Sequence, residues 1–250
     1  MLAKVLSGAL LGIDAYPVEV EVDIAQGLPQ FATVGLPEGA VKESKDRVKS
    51  AIKNSGYEFP TRRITINLAP ADIRKEGAAF DLPMAVGLLT ATGLVPLERS
   101  SRFLLRGALS LDGCIKPVRG VLPVAAAARR WDLDGLILPA ANAEEGALAD
   151  GLPVDPAGTL GDVVDVLTGN RVLEPFRIDI SSMIGQAVQD DVDFSDVRGQ
   201  DHVKRALEVA AAGGHNILRS VRPVAAKRCW PGELRQFCRS RPLKKPLRLP

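Results

Sequence analysis

The sequence predicts an α/β fold of the α+β type, with helices packed on a mixed sheet. Residues 18–24 alternate strictly between apolar and charged side chains, which is typical of a half-buried strand. Residues 41–55 place valine, alanine and isoleucine on one helical face and charged residues on the other. Further strands and helices follow without the regular repeat of a parallel βαβ protein, which favours a mixed sheet.

The remaining elements follow from the same patterns. The turn at 27–29 predicts that residues 31–35 form the antiparallel partner of the strand at 18–24. Residues 82–92 are almost entirely apolar, which predicts a buried helix. Further strands are predicted over 63–68, 103–109 and 135–139, the second of them with a hairpin at the Asp112–Gly113 turn. Further helices are predicted over 122–130, 143–148, 159–167 and 201–212.

These elements predict two folded parts. Residues 1–170 form the first domain, and residues 171–193 have the poor periodicity of a linker. A second unit begins at residue 194, and its helix at 201–212 is stopped by Gly213 and Gly214.

Composition excludes several classes of protein. The chain has 250 residues, which allows one or two domains. It contains neither a recognisable signal peptide nor the roughly 20 consecutive apolar residues of a membrane helix. The three cysteines form no CxxC pair, and His202 and His215 have no metal-ligand neighbours at a suitable spacing. We therefore expect a cytoplasmic protein without a metal site.

Cations along the first helix give one candidate surface. They could face DNA, but Glu43 and Asp46 are interleaved with them, which favours a solvated helix face. A second group at strand and loop ends could contact phosphates, and a subunit contact or a plain surface role fits equally well. The helix cations are Lys42, Lys45, Arg47, Lys49 and Lys53, and the second group is Arg62, Arg63, Arg74 and Lys75.

The sequence pattern breaks after Leu218. Residues 213–218 are typical of the entry to a phosphate-binding loop, but residues 219–230 contain neither a glycine-rich loop nor a strand pattern. Residues 219–250 carry ten of the 32 basic residues and one of the 30 acidic residues, so residues 1–218 have a net charge of −7. A basic tail on an acidic body could bind nucleic acid, but out-of-frame translation of a GC-rich gene also produces this composition.

Another reading frame permits the missing loop. When the third base of each codon is read with the first two of the next, residues 221–228 permit Gly-Pro-Pro-Gly-Ser-Gly-Lys-Thr. That segment is a P-loop, whose main-chain N–H groups, lysine and threonine bind phosphates and Mg²⁺. We therefore interpret residues 219–250 as a frame-shifted, disordered basic tail.

A series of short motifs identifies a family. Val34-Gly35-Leu36-Pro37 is followed by Ser44-Lys45-Asp46-Arg47-Val48, Ile66-Asn67-Leu68-Ala69-Pro70-Ala71-Asp72, Lys75-Glu76-Gly77-Ala78-Ala79-Phe80-Asp81-Leu82-Pro83 and Gly107-Ala108-Leu109-Ser110-Leu111-Asp112-Gly113. With Asp196-Val197-Arg198-Gly199-Gln200 and the helix after it, residues 1–218 resemble the ComM/YifB family of magnesium-chelatase-like AAA+ ATPases.

The resemblance implies a fold and an activity. It implies a ribosomal-protein-S5-domain-2-like first domain, a fold shared with the Lon protease domain, followed by the start of an AAA+ domain. It also implies a hexameric, ATP- and Mg²⁺-dependent motor on DNA, linked to branch migration in natural transformation. Val197 and Gln200 would then lie near the adenine. Because the P-loop is absent as written, we expect this chain to bind no cofactor, to have no catalytic residues and to be inactive as an ATPase.

A peptidase activity of the Lon type is excluded by the same resemblance. Such an enzyme needs a serine nucleophile activated by a lysine. Ala79 stands in the serine position and Leu122 in the lysine position. Two functions stay open, a truncated motor without activity of its own and a stand-alone oligomerisation or DNA-binding module with a basic tail.

Overall fold

The computed structural model describes residues 1–36, 39–71, 73, 75, 77–149, 151–171, 175–176 and 199–217, apart from the side chains of Ala40 and Lys42. The chain divides into two units, Met1–Ile180 and Ser181–Pro250. The predicted domain end at 170 and the linker at 171–193 stay predictions. The frame-shifted tail at 219–250 lies outside the described residues.

The first unit contains nine described strands and six described α-helices. The strands are β1 Leu2–Leu11, β2 Asp14–Ala25, β3 Gln30–Val34, β4 Arg63–Ala69, β5 Phe103–Leu105, β6 Ala108–Leu109, β7 Ile115–Lys116, β8 Gly135–Pro139 and β9 Val154–Ala157. The helices are α1 Gly39–Asn54, α2 Asp81–Ala91, α3 Leu97–Ser100, α4 Val121–Ala128, α5 Ala143–Ala147 and α6 Leu160–Thr168.

Seven strands form one mixed sheet in the order β3-β4-β2-β1-β5-β8-β9. The β1–β2 and β2–β4 pairs are antiparallel, and the other four pairs are parallel. Helices cover both faces, as the alternation of side chains on β5 demonstrates. Phe103 and Leu105 pack with α1, α2 and α6, whereas Leu104 packs with α4 and α5. The predicted α/β class with helices on a mixed sheet is confirmed.

The predicted pairing of residues 31–35 with the strand at 18–24 is wrong. β3 pairs with β4 in parallel, and β4 lies between β3 and β2. The reason is burial, because Ile64, Ile66 and Leu68 of β4 are fully buried whereas β3 has no buried residue. The more apolar strand takes the interior position, and β3 becomes the edge.

The predicted strand at 103–109 is interrupted. Its first three residues form β5, and Ala108–Leu109 pairs with Ile115–Lys116 in a separate two-stranded ribbon around the predicted turn. Between them the main-chain N–H of Gly107 donates to Ala79 (3.1 Å), and the N–H of Leu82 donates to Gly107 (3.1 Å). The main-chain N–H of Arg106 still donates to Ile137 on β8 (3.3 Å), so the chain leaves the sheet at Gly107 and turns towards the start of α2.

Three elements of the first unit were not predicted. β1 is a central strand, but Ser7, Gly8 and Ala9 are buried in succession, so its second half lacks the alternation of a half-buried strand. β9 contains Pro156, which argues against a strand, yet β9 lies at the sheet edge where proline is tolerated. The third is α3, a single turn.

The second unit is described over residues 199–217. Its helix α7, Asp201–Gly213, confirms the prediction at 201–212, and Gly214 ends it in the left-handed conformation (φ 67°). No helix among the described residues of either unit is long and apolar enough to cross a membrane.

Gly35, from the first family motif, provides a test of this packing. Its φ is 96°, and a Cβ there would lie 2.3 Å from the main-chain oxygen of Leu68 on β4. We expect Gly35→Ala to lower the free energy of unfolding by at least about 2 kcal/mol. Gly12→Ala is the control, because Gly12 also has a positive φ (65°) but no atom within 4 Å of the added Cβ. Urea unfolding measures the free energy of unfolding of both variants. An equal decrease in the two would show that backbone strain, rather than contact with β4, causes the effect.

Candidate functional site

Two of the family motifs meet in a buried ion pair. Arg47 on α1 binds Asp81, the first residue of α2, through Nε–Oδ2 (2.8 Å) and Nη2–Oδ1 (3.1 Å) contacts. The Asp81 side chain is 1% exposed and that of Arg47 is 27% exposed. The main-chain N–H of Leu109 also donates to Asp81 (3.3 Å). The pair therefore joins α1, α2 and the β6–β7 ribbon at one point.

Burial and pairing act on Asp81 in opposite directions. Burial raises the pKa of its carboxyl, and the hydrogen bonds and charge of Arg47 offset part of that rise. The same hydrogen bonds raise the pKa of Arg47. At neutral pH the carboxylate therefore depends on Arg47 to remain charged inside the protein.

A basic cleft lies on the other side of α1. Lys45, Lys49 and Lys53 recur every four residues and so share one helical face. With Arg62 they line a cleft of about 350 Å³, and none of the four forms an ion pair with another described residue. This set of four cations is called the basic cleft below.

Two aromatic rings form part of the same cleft. Phe31 and Phe59 are partly buried against the main core and line the cleft with their remaining surface. The Lys49 Nζ lies 6.0 Å from the centre of the Phe59 ring, within the range of a cation–π contact. Cations beside aromatic rings can bind phosphates and bases together.

The structure separates the cations that the sequence grouped together. Arg47 belongs to the buried ion pair, so the interpretation that placed it on a DNA-facing or solvated face is wrong. Lys75 is fully buried and donates from Nζ to the main-chain oxygen of Pro70, so the surface position that all three alternatives for this group require is wrong for Lys75. Arg63 is exposed at the start of β4. The Lys42 side chain and Arg74 lie outside the described residues.

Ala79, which stands in the serine position of the rejected peptidase dyad, borders a pocket of about 990 Å³. Ala79 forms part of its wall, with the end of β1 and residues 117–119 on other sides. Leu122 is an exposed residue of α4 and is not part of this wall. Neither side chain has a proton to transfer, and the rejection of a Lon-type dyad rests on these two residue identities.

Arg106 was missed by the sequence analysis. It follows β5, is 6% exposed, and forms part of the same pocket wall. The sequence around Arg106, a short apolar strand followed by Arg-Gly, does not predict that this side chain is buried, because arginine is normally exposed. Its guanidinium donates to main-chain oxygens of Gly8 and Arg119, which hold it inside the protein.

The predicted nucleotide-binding residues are only partly described. Val197 lies outside the described residues. Gln200 is exposed, has a φ of 57°, and precedes α7, where its main-chain oxygen accepts hydrogen bonds from Val203 (2.8 Å) and Lys204 (3.1 Å). Its predicted adenine contact stays a prediction. Within the described part of the chain, no cluster of three or more His, Cys, Asp or Glu residues could hold a metal ion.

The family follows from comparison with known proteins. Residues 20–142 match the family described as subunit ChlI of Mg-chelatase, and residues 193–230 match that described as magnesium chelatase, subunit ChlI. The chain is 42% identical over 219 residues to competence protein ComM of Haemophilus influenzae and 43% identical over 217 residues to the uncharacterized protein YifB of Escherichia coli. The chain belongs to the magnesium-chelatase-like family that includes ComM and YifB.

This chain spans less than half the length of those two relatives. The matches cover 87% of it in both cases, but 43% of ComM and 42% of YifB. Lon protease 2 of Bacillus subtilis is more distant, at 28% identity over 193 residues, which cover 70% of this chain and 33% of the protease. The Lon similarity agrees with the α/β architecture of the first unit.

We expect Arg47→Leu to lower the free energy of unfolding by about 3 kcal/mol at pH 7, because it leaves the Asp81 carboxylate buried without its cation. The loss should shrink as the pH falls. The pKa of Asp81 is already raised above its ordinary 3.8 and would rise further in this variant. The folded state then binds the proton more tightly than the unfolded state, so acidification stabilises the variant relative to the parent protein.

Urea unfolding between pH 5 and pH 8 measures this difference. Lys45→Leu is the matched control, because Lys45 lies exposed on the same helix and forms no ion pair with a described residue. A loss for Arg47→Leu that does not change with pH would mean that Arg47 contributes packing rather than charge.

Proposed function

We propose that this chain is the DNA-contacting N-terminal part of an ATP-driven DNA motor of the magnesium-chelatase-like family. The observation that supports this proposal most directly is the basic cleft. Its four cations have no carboxylate partners among the described residues, so their charge is available to phosphates. The description of one relative as a competence protein supports a role with DNA in natural transformation.

The geometry of the cleft favours a flexible single strand. Three cations run along α1 over two helical turns, which is a spacing of about 6 Å between successive positions. The fourth, Arg62, lines the same cleft together with Phe59 and Pro60. A single strand can place its phosphates on such a row while a base contacts an aromatic ring, and this mode of binding depends little on sequence.

The ATPase activity belongs, in this proposal, to the protein read in the other frame. The permitted Gly-Pro-Pro-Gly-Ser-Gly-Lys-Thr would supply the P-loop, with ATP and Mg²⁺ as cofactors and Val197 and Gln200 beside the adenine. The matches to ComM and YifB cover 87% of this chain rather than all of it, which supports an altered segment, although the family match to residues 193–230 continues past Leu218. As written, residues 219–250 contain no P-loop lysine motif, and the chain should not hydrolyse ATP.

The proposal extends to assembly and fold class. We infer that the intact protein is a hexamer and that the first domain has the ribosomal-protein-S5-domain-2-like fold. The mixed sheet and the similarity to Lon protease 2 support this fold. Light scattering of the frame-restored protein with ATP tests the hexamer, and a monomer under those conditions would contradict it.

We expect Lys49→Gln/Arg62→Gln to weaken binding of a 30-nucleotide single strand measured by fluorescence anisotropy. Losing two phosphate contacts should also reduce the slope of log affinity against log salt by about 1.4. Lys116→Gln/Arg130→Gln is the control, because both residues are exposed, lie outside the basic cleft and change the net charge equally. Equal effects of the two variants would show that net charge, not the cleft, determines binding.

The basic tail provides the competing explanation for DNA binding. Residues 219–250 hold ten cations and one acid, so a variant that lacks them is measured in the same assay. If that variant loses binding and the cleft variant retains it, the chain binds DNA through its tail and the proposed role of the cleft is wrong.

Resequencing the gene across codons 218–230 tests the frame change directly. If the shifted frame is continuous with the upstream one, the purified product should hydrolyse ATP, and replacing its P-loop lysine by alanine should abolish turnover. If the present frame is confirmed, the 250-residue chain should show no hydrolysis above that of a buffer control. ATP turnover by the chain as written would contradict the assignment of the ATPase to the other frame.

A further inference from the structure

The pocket beside Ala79 contains a buried cation that the proposed DNA function does not use. The pocket is large enough for a small-molecule ligand, at about 990 Å³. Most of its wall is apolar, and Arg106 and Arg119 are the charged side chains among the described lining residues. Arg119 is exposed at the rim, whereas Arg106 is 94% buried.

Main-chain oxygens hold the Arg106 guanidinium in place. Nη1 donates to the oxygen of Gly8 on β1, and Nη2 donates to the oxygen of Arg119 (3.0 Å). Among the described residues, the Nε–H has no hydrogen-bond acceptor. The guanidinium of Arg106 is therefore held by two neutral acceptors through Nη1 and Nη2, and its Nε–H is available to a further acceptor.

No carboxylate of the described residues forms a hydrogen bond with this buried charge. Glu145 is the acid whose charge acts on Arg106, but its own oxygens are engaged elsewhere. Oε1 accepts from the main-chain N–H groups of Val121 (3.0 Å) and Leu122 (3.1 Å), and Oε2 accepts from Asn142 (3.1 Å). Burial consequently lowers the pKa of Arg106 to about 10, which leaves it charged at neutral pH. A buried cation without a hydrogen-bonded anion is unfavourable unless a ligand supplies one.

The lining restricts the anion. A planar carboxylate matches one edge of a guanidinium, whereas a phosphate dianion needs more donors than these walls provide. The apolar residues Leu10, Ala108 and Val118 suit a hydrocarbon body attached to that carboxylate. The described lining contains no serine, cysteine, histidine or acidic side chain, and the proposal is therefore one of binding alone.

We propose that this pocket binds a carboxylate with an apolar body, and that Arg106 is its cation. Because the Nε atom is itself buried, the carboxylate reaches it only when the Arg106 side chain rotates towards the pocket, and the apolar body then lies against β1 and β6. Two sources share this chemistry, a small free acid and the C-terminus of a peptide. The site is independent of the basic cleft, so failure of one proposal does not affect the other.

Titrations of the full 250-residue chain followed by amide NMR test the proposal. The probes are hexanoate against hexanamide, and N-acetyl-Ala-Leu with a free or an amidated C-terminus. We expect saturable shifts of the Leu11, Gly12 and Val118 amide signals with an acid, and binding at least tenfold weaker for the matching amide. Binding of the peptide acid alone assigns the site to a chain terminus, and binding of hexanoate as well assigns it to small acids in general.

A variant that leaves the Arg106 guanidinium intact distinguishes loss of ligand binding from loss of the folded structure. Ala108→Leu adds bulk to the pocket wall and should weaken acid binding at least tenfold, while Ala126→Leu adds the same side chain on the exposed face of α4 and should not. Arg106→Gln should remove the preference for acids over amides. Equal binding of acids and amides, tighter binding of inorganic phosphate than of either acid, or no saturable shift with any probe would overturn the proposal.

Discussion

Complete burial of α2 is the constraint on which the rest of the first unit depends. All eleven residues of this helix are buried, including Asp81 at its start. The helix packs so closely on the sheet that a Cβ at Gly87 would lie 2.7 Å from the side chain of Val22. A charged residue at the end of such a helix cannot reach water and needs a cation inside the protein. Arg47 supplies it, and α1 is thereby fixed against α2.

That attachment orients the surface of α1. Because Arg47 and the buried residues Val41, Val48 and Ile52 point inward, the face with Lys45, Lys49 and Lys53 points outward. The neighbouring strand β4 then brings Arg62 to the same cleft. The basic cleft is thus a consequence of how one buried carboxylate is neutralised.

The two buried charges near the start of α2 are satisfied differently. Asp81 has a cation and a main-chain N–H, so its bonding is complete within the protein. Arg106 has two main-chain oxygens and an unused N–H beside a pocket. A charge that is paired inside the protein stabilises the fold, whereas one left unpaired beside a cavity is suited to a ligand. In this unit the paired Asp81 stabilises the fold, and Arg106 forms the proposed binding site.

The sequence by itself determined most helices and strands, since the periodicity of apolar residues reports directly which residues face a core. It also determined the family and the absence of the peptidase dyad, because these depend on residue identity at Ala79, Leu122 and the glycine motifs. Only the tertiary structure decided that β4 lies between β2 and β3, that Arg47 and Lys75 point inward, and that Arg106 lies in a pocket wall. Strand order and the burial of a charge depend on contacts between residues far apart in the chain, and local periodicity carries no record of those contacts.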